Sequence, residues 1–135
     1  MEVYTGRISV NNIKLLSEKG YLPIFICRYM NPMVSMYKNT KVHCLSLSPS
    51  SSLLFDSKEG RITFDEYKKR YLEEISHENV SNILSTYIDL AECLDAKGVV
   101  LMCYCRDRDR CHRGILSEYL FDSGILNYKP KELVL

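Results

Sequence analysis

Three cysteines, one histidine and four arginines fall within eleven residues of this chain, from Cys103 to Arg113. A thiol becomes a working nucleophile when positive charge lowers its pKa, and a helix N-terminus flanked by arginines supplies that charge. Cys111-His112-Arg113 opens a segment with helical apolar spacing, carried by Ile115, Leu116, Tyr119 and Leu120. With Asp109 as its cap, Cys111 and His112 lie in the first turn. Cys111 is therefore the candidate nucleophile, His112 the proton carrier, and Cys103 a second thiol within reach. Arg113 and Arg110, with the backbone N–H groups of the helix start, make a site for a phosphate or carboxylate. A plainer reading competes at each position. Asp107 and Asp109 can simply pair with their arginine neighbours, Cys111 can pack beneath the helix four residues before Ile115, and His112 can hydrogen-bond a strand carbonyl.

The same donors raise the question of a metal. Cys103 and Cys105 share one face of their strand and Tyr104 takes the other, so Cys103, Cys105, Cys111 and His112 supply four ligands for a tetrahedral ion. The spacing C-x-C-x5-C-H is not a standard zinc pattern, and adjacent Cys and His side chains diverge at a helix start. No cofactor is expected on that ground, and zinc is the alternative. Nor is this a phosphatase loop, because a cysteine rather than an arginine stands six residues after Cys105.

These residues need a strand that ends at them and a helix that begins at them. The apolar run 99–105 supplies the first and the segment from Cys111 the second, and ligands of open α/β sheets bind at such carboxyl ends. Upstream, the pattern predicts a short strand over 3–5, then a helix capped by Asn11 or Asn12 and closed by Gly20. A second buried strand follows over 22–27 and a third over 42–47. A short helix follows Ser48-Pro49-Ser50-Ser51. Thr63 and Glu66 have capping-box spacing before Phe64, Tyr67, Tyr71 and Ile75, and a last helix covers about 79–94. Alternating strands and helices predict an α/β class: one Rossmann-like three-layer domain over 1–135, with a mainly parallel central sheet flanked by helices.

Composition narrows the function classes. In 135 residues, 46% are apolar and 26% charged, and 18 Lys plus Arg nearly balance 17 Asp plus Glu. That balance excludes a globally basic nucleic-acid coat and an acidic tail. No run approaches the roughly 18 apolar residues of a membrane span, and the first ten residues do not read as a leader. Six cysteines without a small secreted framework suit a reducing compartment, so the expectation is a cytoplasmic protein with no membrane partner. Cys27, Cys44 and Cys93, scattered among apolar neighbours, read as buried packing residues. Tyr29, Tyr37, Lys38 and Lys41 interleave rings and positive charge as single-strand binders do, which keeps nucleic acid open as a partner. Tyr67 and Tyr71 lie on an apolar helix stripe with Lys68, Lys69 and Arg70 facing outward. His43 and His77 stand alone and read as satisfied or exposed.

The run Val100-Leu101-Met102-Cys103-Tyr104-Cys105, followed by Cys111-His112-Arg113, is similar to the hallmark of the domain of unknown function 488 family. Val3-Tyr4-Thr5 resembles that family's opening strand. Leu47-Ser48-Pro49-Ser50, Phe64-Asp65-Glu66-Tyr67 and Arg70-Tyr71 resemble its middle section, so the likeness covers about residues 2–125. The resemblance implies a small α/β domain of bacteria and their viruses. Cys103, Cys111, His112 and Arg113 match its motif one by one, and Arg28 matches an arginine that usually ends an Asp-Val-Arg triplet. Here the triplet reads Ile26-Cys27-Arg28, without the aspartate, and the glutamate usual after Cys-Tyr is replaced by Cys105. A mechanism needing that carboxylate, such as stabilising a sugar cation during cleavage of an N-glycosidic bond, is not expected on this motif.

Taken together, the residues predict a small anionic, nucleotide-like ligand, bound by Arg113, Arg28 and Arg110 with Thr5, Tyr104 and Cys105 around it. Cys111, His112 and Cys103 would process it as a cysteine-dependent hydrolase or transferase. A sequestering or sensing module without catalysis, and a metal-stabilised scaffold for a macromolecular partner, are the alternatives. A second copy of the chain stays open as a partner.

Overall fold

Every residue of Gly98–Cys103 is buried, as a strand covered on both faces requires. In the computed structural model, which describes residues 1–30 and 42–134, this strand is β3. It lies between β1 (Glu2–Arg7) and β2 (Leu22–Phe25), and a fourth short strand, β4 (Lys131–Glu132), extends the far edge. The order is β2-β3-β1-β4, with every pair parallel. Parallel neighbours need crossovers, and the chain supplies helices for them.

Side-chain alternation along β3 sorts two cores. Val100 and Met102 face Ile13 and Leu16 of helix α1 (Val10–Lys19). Val99, Leu101 and Cys103 face the other way, into a larger core with Tyr71, Ile75, Leu84, Ala91, Leu116 and Leu120. Those residues come from α3 (Phe64–Ser76), α4 (Val80–Cys93) and α5 (His112–Asp122); α2 (Ser51–Lys58) adds Leu53. Helices on both faces of a parallel sheet make the expected three-layer, Rossmann-like α/β architecture. Among the described residues, no helix is long and apolar enough to cross a membrane.

Local chemistry sets the helix starts. Thr63 accepts the N–H of Glu66 at 3.2 Å, as the capping-box spacing predicts, and Asn79, where the next helix is expected to begin, accepts that of Asn82 at 3.1 Å. The cap of helix α1 lies two or three residues before the expected Asn11 or Asn12. It is Ser9, which accepts the Asn12 N–H at 3.0 Å.

Four further expectations need correction. No third strand spans 42–47: His43 makes one parallel bridge to Phe25, and Leu45–Leu47 then coils into a 3-10 turn. Two hydrogen bonds hold that turn, Ser48 Oγ to the Leu45 carbonyl and Tyr71 Oη to the Leu47 carbonyl, both 2.6 Å. The strand expected to reach residue 105 stops at Cys103, because the Cys105 carbonyl is taken by Arg113 at 2.7 Å instead of by a neighbouring strand. β4 was not expected, since two polar residues carry no strand pattern. Finally, Cys93 is exposed, although Cys27 and Cys44 are buried.

Candidate functional site

The end of β3 and the start of α5 meet where the pattern placed them, but the turn between them has its own structure. Asp107 accepts the Asp109 N–H at 3.0 Å and opens a 3-10 turn, Arg108–Arg110. The Cys111 N–H then donates to the Arg108 carbonyl at 3.2 Å. The turn consumes the residues that would have formed the first helical turn, so Cys111, not Asp109, is the N-cap of α5, and no side chain caps it. Gly114 lies directly against this turn, where a Cβ would collide with the Arg108 carbonyl oxygen.

His112 is locked in place. Its Nε2–H donates to the Ile26 carbonyl of the neighbouring strand segment at 2.6 Å, and the Tyr71 ring packs edge-on at 5.4 Å. That bond assigns the proton to Nε2 and leaves the Nδ1 lone pair facing inward. Three groups surround it: Tyr67 Oη at 3.5 Å, Cys103 Sγ at 3.6 Å and Cys111 Sγ at 3.8 Å. Burial pushes the imidazole pKa down to about 4, against the pull of the Ile26 carbonyl, so the ring is neutral at physiological pH.

The three cysteines divide their roles by exposure. Cys103 and Cys111 are buried, Cys111 to 1% exposure, whereas Cys105 is exposed. Hydrogen bonding to Cys105 and Cys111, with burial, pushes the Cys103 thiol well up. The Cys103 thiol pulls Cys111 down, but the Cys105 sulfur beside it and burial win and raise it to about 11. Hydrogen bonds from Cys103 and Cys111 hold Cys105 well below the ordinary thiol range. Of the three sulfurs, only that of Cys105 is shifted toward the thiolate.

Cys105 stands at a cleft of about 130 Å³, which Cys103 and His112 also line. Arg28, Lys58 and the rings of Tyr29, Tyr67 and Tyr104 line it as well, together with Cys27, Pro49 and Leu54. Arg28 is oriented by an Nε–H bond to the Pro49 carbonyl at 2.9 Å, and Tyr29 Oη pairs with Ser51 Oγ at 2.9 Å. A second cleft of about 210 Å³ lies on the outer side of α5. It holds no thiol or histidine, and its Glu118 is paired with Lys68 at 3.3 Å and Lys129 at 3.4 Å.

Behind the site, a polar network ties the motif to the C-terminal strand. The Arg113 side chain has no exposed surface; it donates to Glu132 from Nη2 at 2.8 Å and from Nε at 3.2 Å, and its Nη1 holds the Cys105 carbonyl. Thr5 Oγ1 donates to Glu132 Oε1 at 2.8 Å and accepts from Arg108 Nε at 3.0 Å. Arg108 Nη2 donates to Ser117 Oγ at 2.9 Å and to the Pro130 carbonyl at 2.7 Å.

The structure thus brings Cys103, Cys105, His112, Tyr104 and Arg28 to one cleft, with Cys111 directly behind. Arg113 and Thr5 sit in the network, and Arg110 is exposed on the 3-10 turn, away from the cleft lining. Of the ring-and-lysine segment, Tyr29 reaches the cleft, while Tyr37, Lys38 and Lys41 lie outside the described residues. Sequence reasoning missed Lys58, the last residue of α2, and Glu132. The signal for Glu132 was indirect, since an arginine in an apolar helix face needs a carboxylate from somewhere.

Glu132 carries a pH prediction. Burial pushes its pKa up, but hydrogen bonds from Arg113 and Thr5 outweigh that and leave it below the ordinary 4.5. A depressed folded-state pKa contributes stability that is present above the unfolded value and lost as pH falls through the folded one. Acid titration of stability should therefore show a loss below about pH 4.5 that is shallower in Glu132→Gln. Identical acid limbs in the two proteins would exclude this contribution.

A three-layer parallel α/β domain, with thiols and an imidazole at the carboxyl end of its central strand, is the class of protein these features define. The chain belongs to the DUF488 family: residues 9–124 match the family model DUF488-N3a, described as the active DUF488-N3 subclade. No curated protein and no solved structure matches the chain.

Proposed function

We propose that the cleft binds and processes a small anionic, nucleotide-like ligand in the cytoplasm, with Arg28 and Lys58 holding its charge and Cys105 as the reacting thiol. The observation that carries this reading is that the one exposed thiol of the motif shares a cleft with two cations and three tyrosine rings. At about 130 Å³ the cleft suits a single ring, such as a base or a sugar, with its phosphate at the mouth; drug-sized ligands take roughly 300–1,000 Å³. Cys111, the nucleophile expected from the motif, has 1% of its surface exposed and meets no ligand in this arrangement. Its role passes to Cys105, and Arg113 becomes a positioning residue for the Cys105 backbone. The sulfur would attack an electrophilic carbon or phosphorus, the leaving group would depart with the bonding pair, and water or a second acceptor would release the product. The matched subclade's description as active favours catalysis over sequestration.

Thermal denaturation against nucleotides, nucleosides and phosphorylated sugars tests this. A ligand at 100 times its Kd should add about 2.7 kcal/mol of stability. Arg28→Ala is expected to abolish the shift, whereas Cys105→Ser should keep the shift and lose turnover. A flat panel, or a shift indifferent to Arg28→Ala, overturns the anion site. Recovery of unaltered ligand from the wild-type protein favours the sequestering module.

A further inference from the structure

The inner face of His112 is odd as a set of hydrogen bonds. Nδ1 has one lone pair, yet Tyr67 Oη, Cys103 Sγ and Cys111 Sγ all converge on it, at 3.5, 3.6 and 3.8 Å. Only one proton can occupy that lone pair, and 3.5 Å is beyond the usual hydroxyl hydrogen-bond range of about 2.5–3.0 Å. The spacing fits a different occupant. With Zn–S near 2.3 Å and Zn–N near 2.05 Å at a tetrahedral angle, sulfur and nitrogen ligands stand about 3.6 Å apart. The Nδ1 and the two sulfurs all lie within 4.8 Å of one another, and all three residues are buried. The Nε2–H bond to the Ile26 carbonyl is also the outer-shell support that metal-bound histidines use to fix tautomer and ring orientation.

We infer that Cys103, Cys111 and His112 form a three-ligand site for a soft divalent cation, zinc by the chemistry of its donors, whose fourth position faces the cleft. Two thiolates and an imidazole select zinc over magnesium or calcium, which take oxygen ligands. Cys103 and His112 both line the cleft, so the coordination sphere opens on the side where a ligand enters. Three protein ligands with one open position is the pattern of catalytic rather than structural zinc. The inference goes beyond the ligand reading and is tested without any nucleotide, so either can fail alone.

The protein, stripped with a chelator, is titrated with Co²⁺ and then with Zn²⁺. One equivalent of Co²⁺ should produce thiolate-to-cobalt charge transfer together with the intense visible bands of a tetrahedral site, and Zn²⁺ should bleach both. Cys111→Ser should lose most of the charge-transfer intensity, whereas Cys93→Ser, remote and exposed, should keep it. Cys105→Ser should also retain one equivalent of metal, since Cys105 is not a ligand in this scheme. Absence of these bands in the wild-type protein overturns the site, whether or not Cys111→Ser folds. Loss of binding in Cys105→Ser overturns the open position in favour of a closed four-ligand site.

Discussion

Glu132→Ala should destabilise the chain by about 3 kcal/mol, one of the two largest losses expected from a single substitution outside the apolar core. The reason is what the substitution leaves behind. Arg113 has no exposed surface, and without Glu132 its guanidinium keeps the Cys105 carbonyl but no anion. Removing one partner of a buried pair typically costs about 3–5 kcal/mol, because the remaining charge is desolvated without compensation. Glu132 is itself 28% exposed, which places the expectation at the lower end. Arg108, 4.0 Å from the same carboxylate, adds to the loss. Urea denaturation of Glu132→Ala, Arg113→Met and the double variant checks this. The double variant should cost less than the sum of the singles by about 1–3 kcal/mol, because the charge left stranded by the first change is removed by the second. A cost below about 1 kcal/mol for Glu132→Ala would mean that water replaces the carboxylate and that β4 does not hold the site in place.

Gly114→Ala sets two effects against each other. In a helix, alanine is favoured over glycine by about 1 kcal/mol. Against that, the new methyl group would run into the Arg108 carbonyl oxygen, a backbone atom that cannot rotate away. Overpacking of this kind costs about 1–3 kcal/mol net, or a fall in Tm on the order of 5–10 °C for a domain of this size. Relief requires α5 to move off the 3-10 turn, and that movement carries Cys111 and His112 with it. The variant is therefore expected to lose cobalt binding as well as stability. If Gly114→Ala instead raises Tm, the contact between the turn and α5 is looser than described and helix propensity has won.

The elements that position the site were legible because each is dictated locally. Gly98–Cys103 reads as a buried strand from apolar residues alone, and Thr63 with Glu66 announces α3 by a cap and its partner. His112 donating to a strand carbonyl, and Cys111 packed beneath its helix, were among the readings open from spacing. The bridge at His43, the 3-10 turn at Leu45–Leu47 and β4 were not legible. Each is held by a distant group: the Phe25 backbone, the Tyr71 hydroxyl, and the Thr5 backbone and side chain.

The same division runs through the site. From sequence alone come the family resemblance, the α/β class and the segment from Cys103 to Arg113 where the chemistry gathers, because residue type and periodicity are properties of the chain itself. Which cysteine meets solvent, which arginine is free to hold a ligand and which is committed to Glu132, and where the His112 lone pair points were decided only by the tertiary structure. Exposure, ion pairing and donor direction depend on groups separated by up to 127 positions along the chain, as for Thr5 and Glu132, and no local pattern encodes such a meeting.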